Sequence, residues 1–388
     1  MHKRMTRILS ALSLLAVIPA VAFASPGRVA GMNVPGDYIK DYTGIYTYVS
    51  GVSSVGNLVY VEPTDGNESM GAILGNVFEG RLGTWGVHLR RFHPALGQAT
   101  SASSFATSNF FGDPNSNGEA LDLMWGRKMG NGSLGLRLNR SFFSVEDATG
   151  TNEGANGNRN VWGLGVGYGF AMNENTDVEV AGLYQNRSFD TPPVADDGGT
   201  TYELALRAMM KAGSSLMIAP VVKLYNFDLS TADAVTPANN VSSKLTGWEL
   251  GLAGNWTLGT DDLFVLGAQF AGNKGETTPS GGPTTSLSET FSPNVFMALE
   301  THVNSWLTLR FGAQNALFYS FKTENLQAND PTTVKTHSFT YDMGLGVKLG
   351  SLQMDATLEP NFWNNPIANS WNNPTGQPFG RVSATYSF

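Results

Sequence analysis

Polar and apolar residues alternate with a period of two along most of the chain. Trp162, Leu164, Val166, Tyr168 and Phe170 share one parity, and Gly163, Gly165, Gly167 and Gly169 hold the other. Trp248, Leu250, Leu252 and Trp256 alternate with Glu249, Gly251, Ala253 and Asn255. Phe339, Tyr341, Met343, Leu345 and Val347 alternate with Thr340, Asp342, Gly344, Gly346 and Lys348. Successive side chains of a strand point to opposite faces, so this is a strand pattern. A helix would space apolar residues by three and four, which no stretch after residue 24 sustains. The pattern predicts sixteen strands, at 57–62, 69–79, 83–92, 119–129, 133–146, 160–172, 176–189, 200–212, 215–229, 242–257, 262–274, 289–302, 305–323, 335–349, 351–360 and 378–388. Dropping the short first strand with a neighbour would leave fourteen.

The links between these segments sort by length. Gly80-Arg81-Leu82, Gly130-Asn131-Gly132, Asn173-Glu174-Asn175, Gly213-Ser214, the stretch 258–261, Val303-Asn304 and Gly350 are tight, whereas most of the alternate links are long and polar. A soluble sandwich also alternates but has no reason to sort its loops. A transmembrane antiparallel up-and-down β-barrel does, with short turns on one rim and long loops on the other. Strands of ten or more residues match the thickness of an apolar bilayer band, and closure removes the unpaired edge that lipid cannot satisfy. Trp125, Trp256, Trp306, Tyr319 and Phe321 fall near strand ends, where interfacial aromatic girdles belong. The expected fold class is therefore all-β, a closed membrane barrel.

The beginning of the chain reads differently. Met1–Arg7 is basic, Ile8–Val21 is apolar, and Ala22-Phe23-Ala24 is a small-x-small cleavage site, so residues 1–24 read as a signal peptide for export. Charged residues make up only 14% of the composition, and there is no Cys, which excludes disulfide scaffolds, Cys–metal sites and cysteine enzymes. Without Lys3, Arg4 and Arg7 the rest of the chain holds 21 basic against 32 acidic residues, which argues against a nucleic-acid partner.

The last strand carries a motif. Val382, Ala384, Tyr386 and Phe388 share a parity, and the final residue is aromatic. This resembles the C-terminal β-signal of Gram-negative outer-membrane proteins, which implies recognition by the barrel assembly machinery and an outer-membrane location. Before the first strand, Arg28-Val29-Ala30-Gly31-Met32, Asp41-Tyr42-Thr43-Gly44-Ile45-Tyr46 and Ser50-Gly51-Val52 resemble the opening of FadL/PorV-like barrels. The Asn-Pro of their turn is replaced here by Tyr48-Val49. That resemblance implies that residues 25–56 form a plug within a barrel of residues 57–388, that the solutes are apolar or amphipathic, and that there are fourteen strands.

With the apolar parity toward lipid, the other parity lines a lumen. It contains Arg90, Asp122, Arg137, Glu179, Arg187, Glu203, Arg207, Lys223, Glu249, Glu300, Arg310, Asp342 and Arg381, together with His88, Lys128, Lys211, Lys348, Asp355 and Glu359. The signs are mixed, so no sharp ion selectivity is expected. Folding about the turns sets Glu203 beside Lys223 and brings Glu300 within diagonal reach of Arg310. The inward glycines at 163–169 leave room for a plug or water, and no helix follows them to make a phosphate site.

Trp363 and Trp371 head two copies of a Trp-Asn-Asn-Pro repeat in the 361–377 loop; they could stack on a ligand or close the barrel mouth. The 93–118 loop could fold inward as a constriction. Acidic loop residues Asp190, Asp196, Asp197, Asp228 and Asp233 match no EF-hand spacing, and no cofactor or metal is expected. The histidines after the leader (His88, His93, His302, His337) lack a zinc spacing, and no Gly-x-Ser-x-Gly elbow occurs, so no catalytic residue is assigned. The expected function is porin-like: a channel for passive diffusion of small solutes. Three readings stay open beside it: a FadL-like transporter of hydrophobic compounds, a structural or adhesive barrel, and a barrel hydrolase. The partners expected are outer-membrane lipid, lipopolysaccharide, the assembly machinery and small solutes; the oligomeric state is not readable.

Overall fold

A computed structural model describes residues 25–63, 68–75, 77–89, 119–145, 157–191, 195–232, 240–325, 330–359, 363 and 378–388. Residues 1–24, Arg90, residues 93–118 and Trp371 lie outside them. A short helix α1 (Pro26–Gly31) and three 3-10 turns (Gly36–Tyr38, Tyr42–Tyr46 and Val49–Ser54) precede the sheet.

The strands are β1 (Leu58–Glu62), β2 (Ser69–Leu74), β3 (Thr84–Leu89), β4 (Glu119–Met129), β5 (Gly132–Val145), β6 (Gly157–Asn173), β7 (Thr176–Thr191) and β8 (Ala195–Lys211). They continue with β9 (Leu216–Ala232), β10 (Val241–Leu258), β11 (Asp262–Pro279), β12 (Thr285–His302), β13 (Leu307–Asn325), β14 (Asp330–Leu349), β15 (Leu352–Leu358) and β16 (Phe379–Ser387). Every strand pairs antiparallel with its chain neighbours, and β1 pairs with β16 (Leu58 opposite Ser387, Val61 opposite Ala384), so the sheet closes. The class is the expected one, an all-β closed antiparallel barrel. The sixteen strands are a count of the described residues alone.

Two boundary expectations are corrected. The second and third strands stop at Leu74 and begin at Thr84, because Phe78, Glu79, Gly80 and Gly83 adopt positive φ and wind the link into turns. Several polar stretches expected as loops are instead paired strand. β11 runs to Pro279, β12 starts at Thr285, β13 runs to Asn325 and β14 starts at Asp330. Ladder hydrogen bonds continue wherever the backbone can pair, so a polar hairpin extends past the apolar band. Asp190, Asp196, Asp197 and Asp228 consequently lie on strands β7–β9.

Alternation sorts the faces. Leu123, Leu138, Leu164, Leu204, Leu250, Leu266, Met297 and Phe311 are exposed on the outside, whereas Asp122, Arg137, Glu203, Glu249, Gln269, Glu300, Arg310 and Asp355 are buried inside. This is the reverse of a water-soluble sandwich, whose apolar faces would meet. At the tight rim the turns at 130–131 and 350–351 each contain a glycine, Gly130 or Gly350, at φ 63, which a residue with a Cβ rarely adopts.

The buried core lies inside the barrel, between its wall and residues 25–55. Met32, Val34, Tyr38 and Ile39 pack on Ala219, Val221, Ala253, Val265, Phe296 and Ala298 of β9–β12. On the opposite wall, Tyr42, Ile45, Tyr46, Val49, Val52 and Val55 pack on Leu58, Tyr60, Ile73 and Met124. Each such buried side chain stabilises the arrangement by about 1.5–3 kcal/mol. Two wall glycines permit the approach. A Cβ on Gly135 would collide with the Val49 backbone, and one on Gly312 with the Met32 carbonyl. In the Gly163–Gly169 series, Gly167 and Gly169 face Val49 and Ser50, whereas Gly163 and Gly165 face wall side chains.

Candidate functional site

The lumen is the candidate site, and the inner segment is fastened there at three places. The first lies against β12, β13, β15 and β16. Ser25 caps α1 by accepting from the Arg28 amide at 3.2 Å, and Pro26 occupies the first turn, where its missing N–H costs nothing. This aims Arg28 at the wall, where its Nε and Nη2 each donate to Glu300 at 2.7 Å. Arg310, directly opposite Glu300 on β13, donates to the same carboxylate at 2.6 Å and reaches Asp355 at 2.7 Å. Asp355 also accepts from Ser25 Oγ at 2.6 Å, and Ser383 donates to Ser25 at 2.7 Å. Burial alone would lower the Arg28 pKa, but Glu300, Asp41 and Asp355 more than offset it and the net shift is upward. Burial pushes the Asp41 carboxyl up, partly countered by Arg28 at 3.7 Å and by hydrogen bonds from Thr43.

The second place lies against β8–β10. Lys223 pairs with Asp37, and Arg207 Nη1 donates to the Asp37 carbonyl at 3.1 Å. Arg207 also grips Glu179 at 2.6 Å and lies 4.1 Å from the centre of the Tyr48 ring. Asn255 donates to the Tyr38 carbonyl at 2.9 Å. Glu203 and Glu249 are buried on the same wall, with Glu249 opposite Lys223. The expected Glu203–Lys223 neighbourhood is diagonal rather than direct: Glu203 stands opposite Tyr225 and Lys223 opposite Ala205, which leaves the two charges diagonal neighbours on the inner face. Lys223 is taken by Asp37, a partner that strand pairing could not supply.

The third place lies against β1 and β3–β5. Arg137 grips Asp122 at 2.6 Å and donates to the Tyr46 carbonyl at 2.7 Å. The Tyr46 and Tyr60 hydroxyls stand 3.1 Å apart and reach His88 Nδ1 at 3.1 and 3.0 Å.

The other expected lumen residues fall as follows. Arg187 is buried on β7, Arg381 pairs with Glu62 of β1, and Asp342 is partly buried on β14. Lys128, Lys211 and Lys348 are exposed at the tight rim rather than enclosed. Val382, Ala384, Tyr386 and Phe388 share the outward parity of the last strand; the Tyr386 and Phe388 rings stack at 6.3 Å, and the Phe388 amide donates to Asn57 at 3.2 Å across the closing seam. Trp363 is exposed and donates to the Pro378 carbonyl at 2.8 Å. His302 lies 3.5 Å from Asp262 at the tight rim. Among the described residues no group of three or more His, Cys, Asp or Glu side chains forms a metal cage.

Sequence reasoning missed the inner partners Ser25, Arg28, Asp37 and Asp41, although four charges (Arg28, Asp37, Lys40, Asp41) within an otherwise uncharged stretch were a signal that something awaited them. On the long-link side, the inner segment and strands β13–β16 leave a cavity of about 560 Å³, lined by Asn33, Asp37, Thr43, Gln314, Asp342, Glu359 and Arg381. A smaller one of about 270 Å³ opens toward the tight rim, with Tyr42, Ile45, Tyr48, Val55, Phe170, Val178 and Met209 among its lining.

No protein-family model matches this sequence, and no curated protein matches it. Solved structures similar to this chain include the ferric citrate transporter FecA in unliganded form, at 10% identity and a TM-score of 0.46, with 78% of this chain and 43% of FecA covered. The alcaligin outer-membrane receptor FauA from Bordetella pertussis is similar at 9% identity and 0.44, covering 78% and 43%. BauA, the ferric preacinetobactin receptor from Acinetobacter baumannii, follows at 10% and 0.43, covering 78% and 53%. The chain spans about half the length of these proteins or less. The FadL/PorV-like resemblance of the opening segment finds no support among them.

Proposed function

We propose that this protein is an outer-membrane transport barrel whose bore is held closed by an internal plug, residues 25–55. The observation that carries the reading is the ring of buried fastenings from one short segment to opposite walls: Arg28 to β12, Asp37 to β9 and Tyr46 to β5. Apolar side chains on the outer face match a hydrocarbon band, and a polar inner face matches a hydrated lumen. The long-link rim then faces the exterior and the tight rim the periplasm. A signal peptide at 1–24 and assembly through Val382, Ala384, Tyr386 and Phe388 fit that route.

The 560 Å³ cavity is the entry vestibule. Its acids and amides suit small polar solutes, and onward passage needs a shift of the plug rather than free diffusion through an open porin bore. One observation favours a second reading, a FadL-like path for amphipathic compounds: the more apolar 270 Å³ pocket on the periplasmic side of the plug. The chemistry assigned is transport, not catalysis.

Single-channel recording in planar bilayers tests this, using the intact protein and a variant lacking residues 25–56. Silence in the intact protein with steady ohmic steps after deletion supports the plugged transporter. Steady ohmic steps in the intact protein would restore the passive porin. Silence in both, with the folded variant inserted, would favour adhesion.

A further inference from the structure

The outward face of β5 is interrupted by a charge. Leu136 and Leu138 precede Arg140 on that face and Phe142 follows it. Arg140 stands opposite Leu121 of β4 and Trp162 of β6, and Trp162 stands opposite Asn186 of β7. From that level toward the tight rim the outward residues are apolar: Leu123 and Trp125 on β4, Leu164, Val166 and Tyr168 on β6, Tyr184 and Val180 on β7. Toward the long-link rim they are polar apart from Phe142, with Ser144, Asn158 and Asn160 near and Ser188 beyond. Arg140 therefore marks the upper edge of the apolar band.

Its guanidinium is held by rings, not by an acid. The central carbon lies 4.7 Å from the centre of the Trp162 ring and 5.1 Å from that of Phe142, and Nη2 donates to Asn160 Oδ1 at 3.4 Å. Among the described residues it makes no ion pair; Glu119, outward on β4, stands opposite Phe142 instead. Arg stays charged at any working pH, and an unpaired charge at the hydrocarbon boundary is costly unless a counter-ion arrives from the surroundings. Beyond the Asn160 contact, the remaining N–H groups of the guanidinium have no partner among the described residues, and a guanidinium edge matches two phosphate oxygens. Phosphate groups of a bilayer lie at this depth; the Asn160 amide adjoins the guanidinium, and Asn186 lies at the same level on the far side of Trp162.

We infer that Arg140, with Asn160 and Asn186, binds the phosphate of an anionic lipid headgroup in the leaflet at the long-link rim. This rests on the reading that the apolar outer face meets lipid. If that rim faces the exterior, the lipid is the phosphorylated glycolipid of lipopolysaccharide.

The test is native mass spectrometry of the intact protein released from detergent, titrated with bisphosphorylated lipid A and with its dephosphorylated form. Arg140→Gln should weaken the phosphorylated lipid roughly tenfold, the worth of one charge-assisted contact, and leave the dephosphorylated lipid unchanged. Arg140→Lys should fall between. Equal binding by wild type and Arg140→Gln overturns the site. Displacement of lipid A by excess inorganic phosphate overturns the lipid assignment. Insertion of both proteins into vesicles is scored separately: if wild type fails to insert, the membrane reading itself falls, whereas insertion without Arg140-dependent lipid binding removes only this inference.

Discussion

Arg28 and Glu300 lie 272 residues apart and meet in a two-point contact, with both N–H···O distances at 2.7 Å. Because Arg310 shares the same carboxylate from the neighbouring strand, the contact ties the inner segment to wall residues that are already paired. Removing Arg28 should therefore loosen the plug without stranding Glu300. Arg28→Gln is expected to cost about 1.5–3 kcal/mol of plug seating and to convert a silent barrel into one that flickers open. Bilayer recordings check this; a silent variant that binds its plug as tightly as wild type would contradict it.

Gly312→Val acts from the wall, at the place where β13 meets Met32. A side chain there occupies the space of the Met32 carbonyl, while the outward face of β13 is untouched. The barrel should still assemble, shown by its heat-modifiable mobility on gels, but with the segment displaced and a steady conductance.

Arg137→Met is the contrasting case. It leaves Asp122 buried without its partner, and Asp122 is fully enclosed. Breaking one half of a buried pair costs about 3–5 kcal/mol, so thermal unfolding in detergent should move to markedly lower temperature. Arg137→Met with Asp122→Leu should recover much of that loss.

Leu250→Arg tests the outer face. Leu250 is 52% exposed between Trp248 and Leu252 on β10. An arginine near mid-bilayer is expected to destabilise the folded barrel by about 2–4 kcal/mol in lipid, measured by reversible unfolding from vesicles. A neutral result would mean that this face does not meet hydrocarbon.

Phe388→Ala tests the assembly motif. The Phe388 ring stacks on Tyr386, and its amide bridges to Asn57 across the seam. Loss of the ring should lower the yield of folded barrel in the membrane several-fold while the purified, refolded protein keeps wild-type stability within about 0.5 kcal/mol.

The parity of the wall was legible because series such as Trp248–Trp256 keep strict alternation, and the Glu300–Arg310 pair followed from the short turn between their strands. The partner of Lys223 was not legible. The link 212–215 sets Lys211 opposite Met217, which places Glu203 two residues from the expected position, and the actual partner comes from Asp37, far away in sequence. Strand ends were misread where Thr, Asn and Ser continue the ladder above the apolar band, since composition there reports solvent rather than backbone pairing. The fastenings of the segment were invisible for the same reason: α1 and three brief turns have no period to read, and their partners are fixed only once the barrel closes around them.

A plugged bore requires residues 25–55 to lie inside the closed wall. The chain has no Cys. Ser50 Cβ lies 3.5 Å from where a Cβ on Gly169 would sit, within the range a disulfide requires. The double variant Ser50→Cys, Gly169→Cys, oxidised in membranes and measured by intact mass, should form the internal cross-link nearly completely and stay non-conducting. Two thiols that stay free and react fully with a maleimide under the same oxidation would contradict it.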